Sequence, residues 1–240
     1  MALHREPGEA TFPRVNLPRS TTTRMASWMI HLVNARSQFG ALAAVIRRAC
    51  AEAEVRVAAV SVPLALDIVI SGAHHGPGSM RVSGHCYEPG VIGLRLDLGP
   101  IHAGENLHDE VLKTLFHEVH HALRWEGPGY GETLGGALVS EGLAQRFVHE
   151  MMSCPPEPFE HAVPPSTCEA YRPHALARFD DADYDHEGWF LGASAVPNWL
   201  GYTLGLRMVD RFLAAHPHLS ALRLAHADAE IFRQTLMAPF

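Results

Sequence analysis

The spacing of apolar residues along this chain changes once, near residue 100, from runs and alternation to helical periodicity. Residues 28–33, Trp-Met-Ile-His-Leu-Val, are large or β-branched and read as a first strand. Over 38–54, Phe39, Leu42, Ala43, Ile46 and Ala49 recur at three-to-four spacing, which predicts a helix. Residues 64–70 read as a second strand and 80–86 as a third, closed by a Pro89-Gly90 turn. Over 91–98, Ile92, Leu94, Leu96 and Leu98 alternate with Gly93, Arg95 and Asp97, the pattern of a half-buried strand. Beyond Gly99-Pro100, helices are expected over 108–125 and 132–152, joined by a Gly/Pro-rich link that makes them antiparallel neighbours. Residues 154–183 hold six prolines and read as irregular, with one short helix near 169–178. Pro197 at the first helical position predicts a long helix over 198–215, followed by a short tail helix over 227–236.

Strands first and helices after predict an α+β fold: a small N-terminal sheet with one helix, then a mostly helical half. Residues 1–24, with Pro7, Gly8, Pro13, Pro18 and the run Ser20-Thr21-Thr22-Thr23, are expected to form a flexible arm; 25–240 are expected to form one domain.

Composition narrows the function. The 240 residues carry a formal charge of −7 and a pI near 6.2, which speaks against nucleic acid as a general partner. No run approaches the ~20 apolar residues of a membrane-spanning helix, and no apolar segment follows the N-terminal charges as in a signal peptide. Cys50, Cys86, Cys154 and Cys168 form no C-x-x-C pair, so a cytoplasmic protein is expected. Lys113 is the only lysine, which leaves Schiff-base chemistry a single residue in a helical context. Seventeen histidines raise the rate of chance motifs, so any histidine pattern must be judged by its surroundings.

The informative segment is His117-Glu118-Val119-His120-His121, an H-E-x-x-H match. Residues four apart lie one helical turn apart on one side, so two imidazoles can bind one Zn²⁺. On a helical wheel Leu112, Leu115, Phe116, Val119, Ala122 and Leu123 share one face, while His117 and His121 lie opposite with Glu110, Lys113 and Thr114. Histidines on the polar side of an amphipathic helix fit ligands lining a cleft; plain surface histidines are the alternative. His120 reads as a bystander or as outer support. The next helix offers Glu141, set on the apolar stripe of Leu134, Leu138 and Val148, where an unpaired carboxylate is costly. A bound cation resolves that cost, and so would an arginine such as Arg124.

H-E-x-x-H followed by Glu twenty positions after the second histidine resembles the thermolysin-like zinc peptidases, the gluzincins. More narrowly, the run 117–147, with Arg124-Trp125-x-Gly127-Pro128-Gly129-Tyr130-Gly131 and Ser140-Glu141-Gly142-Leu143-Ala144, resembles a bacterial family of predicted zinc-dependent proteases catalogued as a domain of unknown function. That resemblance extends from about Trp28 to the C-terminus, through Trp189-Phe190-x-Gly192 and Gly201-Tyr202-Thr203-Leu204-Gly205. It implies that His117, His121 and Glu141 bind one Zn²⁺ per chain and that Glu118 is the general base. Gln145 stands where gluzincins often place the Asp that orients a ligand histidine; its amide is expected to accept that imidazole N–H.

A peptidase also needs a donor to the developing oxyanion. Tyr202 is the first candidate, on a Tyr-x-x-Gly pattern similar to that of some gluzincins, with a packing tyrosine as the alternative; His186 is second and Arg207 third. By analogy with related peptidases, residues 91–98 are expected to be the edge that pairs with an extended peptide; Tyr87 and His85 border it or form turn surface. The expected function is zinc-dependent hydrolysis of a peptide or protein substrate, with no nucleic-acid or membrane partner. The rivals are a zinc-binding protein with a regulatory or partner-binding role, and an α+β binding protein with fortuitous histidines.

Overall fold

Parallel strands need a crossover between them, and the first helix supplies it. In the computed structural model, which describes residues 28–60, 64–73, 80–99, 106–192 and 196–240, β1 (Trp28–Leu32) and β2 (Leu66–Ala73) run parallel, joined through α1 (Leu42–Ala59). The arm expected over 1–24 lies outside the described residues. β3 (Val82–Glu88) and β4 (Val91–Asp97) form a hairpin through Pro89-Gly90, where Gly90 takes φ 79°. β4 pairs parallel with β2, so the sheet order is β1-β2-β4-β3. The α+β class is therefore observed as expected.

One expectation fails here. The strand over 91–98 is not an edge: it is paired with β2 on one side and β3 on the other. The hairpin folds β3 back to the outside, so that among the described residues β3 is one edge of the sheet and β1 the other. β4 is also more than half-buried, because the Tyr87 ring covers Gly93 so closely that a Cβ there would collide with it.

The inner face of the sheet, with Ile68, Ile70, Ile92, Leu94 and Leu96, buries against α1 and α2 (Leu107–Trp125). The other face leaves Met29 and Val69 exposed. α2 packs on β3 and on α1, then hands over to α3 (Leu134–Met151), whose Thr133 N-cap accepts from Gly136 N. α3 crosses α6 (Leu200–Ala215) at glycines: a Cβ on Gly142 would run into the Gly205 carbonyl, and one on Gly205 into the Leu138 carbonyl. Only bare backbones permit this approach.

The helical half departs from expectation in its boundaries. α4 (Pro165–Ala177) starts earlier than 169, because proline suits the first turn of a helix, and it carries Pro173 within it. α5 (His186–Leu191) was not expected; it is one short turn capped by Asp185 and stopped by Gly192 at φ 71°. Pro197 does not open α6: it begins a separate turn, and Trp199, at φ 63°, redirects the chain before the helix starts at Leu200. The tail over Ala229–Leu236 is 3₁₀ rather than α. Among the described residues no helix is long and apolar enough to cross a membrane.

Candidate metal centre

α2 and α3 lie side by side, and this brings three donors to one point. His117 Nε2 is 3.1 Å from Glu141 Oε2, His121 Nε2 is 3.0 Å from His117 Nε2, and His121 Nε2 is 3.5 Å from Glu141 Oε1. Donors bound to a tetrahedral Zn²⁺ at about 2.0–2.1 Å are spaced roughly 3.3 Å apart, so the observed triangle has the right size. Two Nε2 atoms facing each other at 3.0 Å either share a proton or direct both lone pairs at one cation. His121, at 4% exposure, and Glu141, also at 4%, are buried beside the half-buried His117. This set could hold a metal ion.

Electrostatics reinforce the convergence. Burial alone would raise the Glu141 carboxyl, but His121 beside it and the hydrogen bonds from both imidazoles hold it well below the usual carboxylate range. Burial would lower the His117 imidazole, yet the bond to Glu141 carries it above its ordinary value. Arg124 is not the partner of Glu141. It donates instead to the Ala225 and Ala227 carbonyls, leaving the carboxylate to the histidines.

Glu118 lies next to the triad and behaves differently. Its burial pushes the carboxyl pKa up, although His121 and His117 pull it down. Its Oε2 is buried without a hydrogen-bond partner among the described residues, an expensive state for a structural carboxylate. The side chain presses on β3 at Gly84, where a Cβ would come within 2.5 Å of Glu118 Cγ and Oε1. A glycine on that strand therefore leaves room for the carboxylate.

A cavity of about 900 Å³ opens over these residues, lined on one side by Gly84, His85, Cys86 and Tyr87 of β3. The same cavity is lined by Tyr130, His186 and Tyr202. Tyr202 packs between Phe159 and Phe190, and burial together with Glu141 and Glu118 pushes its phenol well above the ordinary value. His186 stacks on Phe190 at 4.7 Å, and its Nδ1 lies 2.9 Å from the Tyr184 hydroxyl. Burial lowers its pKa, against the pull of Glu141. Two of the three candidate oxyanion donors, Tyr202 and His186, thus share the cavity with the triad.

Other expected residues lie elsewhere. Arg207 points to a separate depression with Glu160, Asp210 and Arg211 and stacks over Phe240, so it has no access to the centre. Gln145 does not reach an imidazole. Its Nε2 donates to the Glu141 and Tyr202 carbonyls, because position 145 faces α6 rather than α2. Ser140 Oγ, 3.3 Å from His121 Nδ1, stands in that place. His120 is fully buried, turned away from the triad, with Nε2 on the Ala221 carbonyl. Lys113 is committed to Glu110 and Glu157, which raise its pKa and keep it charged. The four cysteines are free.

Sequence reasoning gave Tyr130 no role of its own. Its hydroxyl donates to Glu141 Oε1 at 2.5 Å, and its ring lies 5.2 Å from that of His121. The available signal was an aromatic residue inside the Gly/Pro-rich link between the two helices.

The fold and site define a class: an α+β protein in which an H-E-x-x-H helix and a following helix present a buried donor set able to hold a metal ion. Within that class, the chain belongs to the family described as "Predicted Zn-dependent protease (DUF2268)", whose model matches residues 76–234. The match starts after β2, short of the Trp28 start expected from the resemblance. No curated protein and no solved structure gives a significant match.

Proposed function

We propose that this protein is a gluzincin-like zinc peptidase in which His117, His121 and Glu141 hold one zinc ion and Glu118 is the general base. When bound, the ion would supply Lewis acidity, lowering the pKa of a water and polarising a peptide carbonyl. Glu118 takes the proton of the attacking water and passes it to the leaving amine. A carboxyl raised by burial suits a group that must both accept and release that proton near neutrality. Tyr202 and His186 donate to the oxygen on which charge develops. In the tautomer where Nδ1 of His186 accepts from the Tyr184 hydroxyl, 2.9 Å away, the ring proton sits on Nε2. The outer edge of β3, unpaired among the described residues, offers backbone groups to an extended peptide beside the centre. In this proposal residues 25–240 form one catalytic domain.

The observation that carries it is the pairing of a converged three-donor set with a buried carboxylate oxygen, partnerless among the described residues, on the helix that supplies two of those donors. Metal analysis and a peptide-library digest, run on wild type and Glu118→Gln, test it. The wild type is expected to bind one zinc and cleave; the variant is expected to keep fold and zinc and to lose activity by at least ~100-fold. Equal cleavage by the variant would sink the mechanism. Zinc without cleavage in the wild type would point to the regulatory or partner-binding role instead.

A further inference from the structure

Tyr130 sits on the link between α2 and α3, and that link is held at both ends. Gly127 N and Gly129 N both donate to the Arg124 carbonyl, at 2.9 and 2.8 Å. Gly129 takes φ 77° and Gly131 φ 113°, and Gly131 packs so tightly on the start of α3 that a Cβ would lie 2.6 Å from Gly136 backbone. These backbone states are open to glycine and resisted by other residues. They deliver the Tyr130 hydroxyl under Glu141, where it donates to Oε1. A bond from O–H to a carboxylate at this length is of the strong, charge-assisted kind.

We propose that Tyr130 is a positioning residue of the metal centre: by occupying Oε1 of Glu141 it leaves Oε2 as the carboxylate donor, and it ties the cavity-lining loop 126–132 to the state of that centre. This rests on the reading of His117, His121 and Glu141 as ligands. Oε2 is the oxygen nearer an imidazole, 3.1 Å from His117, whereas Oε1 is 3.5 Å from His121. A carboxylate free to rotate could offer either oxygen or both; one pinned at Oε1 offers one. Among the described residues, the side chains bonded to the triad from outside it are Tyr130 and, through His121 Nδ1, Ser140. The outer support is therefore neutral, made of hydroxyls rather than an acid.

The second half of the proposal follows from where the loop lies. Gly127, Pro128, Gly129, Tyr130, Gly131 and Glu132 all line the cavity. Whatever fills the cavity and whatever fills the centre act on one loop, joined to the ligand by one hydrogen bond. Their affinities are then coupled, and coupling is reciprocal.

Tyr130→Phe in the full chain removes the hydroxyl and keeps the ring. Zinc affinity is read by competition with a chromophoric chelator, and amide hydrogen exchange of residues 126–132 is read with and without zinc. In wild type, zinc is expected to slow exchange in the loop. In the variant, affinity should drop roughly 10–100-fold and the zinc-dependent slowing should vanish. Unchanged affinity in a variant whose wild type binds zinc would overturn the role of Tyr130 alone. Wild-type loop exchange indifferent to zinc would overturn the coupling, and needs no variant. A wild type that binds no zinc would overturn the ligand reading and this inference with it.

Discussion

Tyr202 carries two jobs that a single atom separates. Its ring fills the space between Phe159 and Phe190, which any aromatic residue could do. Its phenol shares the cavity with Glu118 and Glu141, and both carboxylates help keep it protonated and able to donate. Tyr202→Phe removes the oxygen and leaves the packing. If the hydroxyl stabilises the oxyanion, kcat should fall by roughly 100–1,000-fold with little change in KM and none in zinc content. Were the ring alone important, turnover would persist and the melting temperature would move slightly. Normal turnover in this variant would transfer the role to His186, whose Nδ1 already meets the Tyr184 hydroxyl.

Helices rather than side chains decide whether Tyr202 reaches the centre at all. α3 and α6 touch backbone to backbone at Gly142 and Gly205, and this contact sets Tyr202, three residues before Gly205, beside Glu141, one before Gly142. Gln145 strengthens the same seam by bridging the Glu141 and Tyr202 carbonyls. An added methyl at Gly205 must push the Leu138 carbonyl away, since backbone cannot yield as a flexible side chain can. Gly205→Ala should therefore cost about 1–3 kcal/mol in denaturant unfolding. It should also lower kcat, because the helix bearing Tyr202 is displaced. Full stability in Gly205→Ala would show that the two helices can part without penalty.

Across the molecule, α2 is tied to the far end of the chain through His120, whose Nε2 meets the Ala221 carbonyl while its ring lies against Phe147. Burial holds its pKa well below the ordinary 6.5. The sign follows from proton uptake. Below pH 6.5 the unfolded chain binds a proton at this site that the folded chain refuses, so stability present above that pH is lost as the pH falls. His120→Gln can still donate to the carbonyl and cannot become charged. In chelator-treated samples, the variant should lose stability with acid less steeply than wild type, the difference approaching roughly 1.4 kcal/mol per pH unit below 6.5. Identical slopes would mean that His120 is not kept neutral by the fold.

What could be read from the sequence was local. The order of strands and helices follows from periods of two and 3.6 residues, and the pairing of His117 with His121 from one turn of one helix. Glu141 was legible because an acid on an apolar stripe demands a partner, a cost visible before any contact is known. Long-range pairing was not legible. Alternation in 91–98 marks a strand but says nothing of its neighbours, and the hairpin, by folding outward, puts β3 rather than β4 at the edge. Spacing put Gln145 near the ligands, yet the rotation of α3 against α6 turned it to backbone carbonyls and gave Ser140 its place. The same rotation sent Arg207 to the far side of α6. Tyr130 needed the positive φ angles of Gly129 and Gly131 to bring its hydroxyl to Glu141. Residue type and spacing constrain what lies within one element; which side chain meets which across elements depends on helix rotation and backbone approach, and these are set only when the core packs.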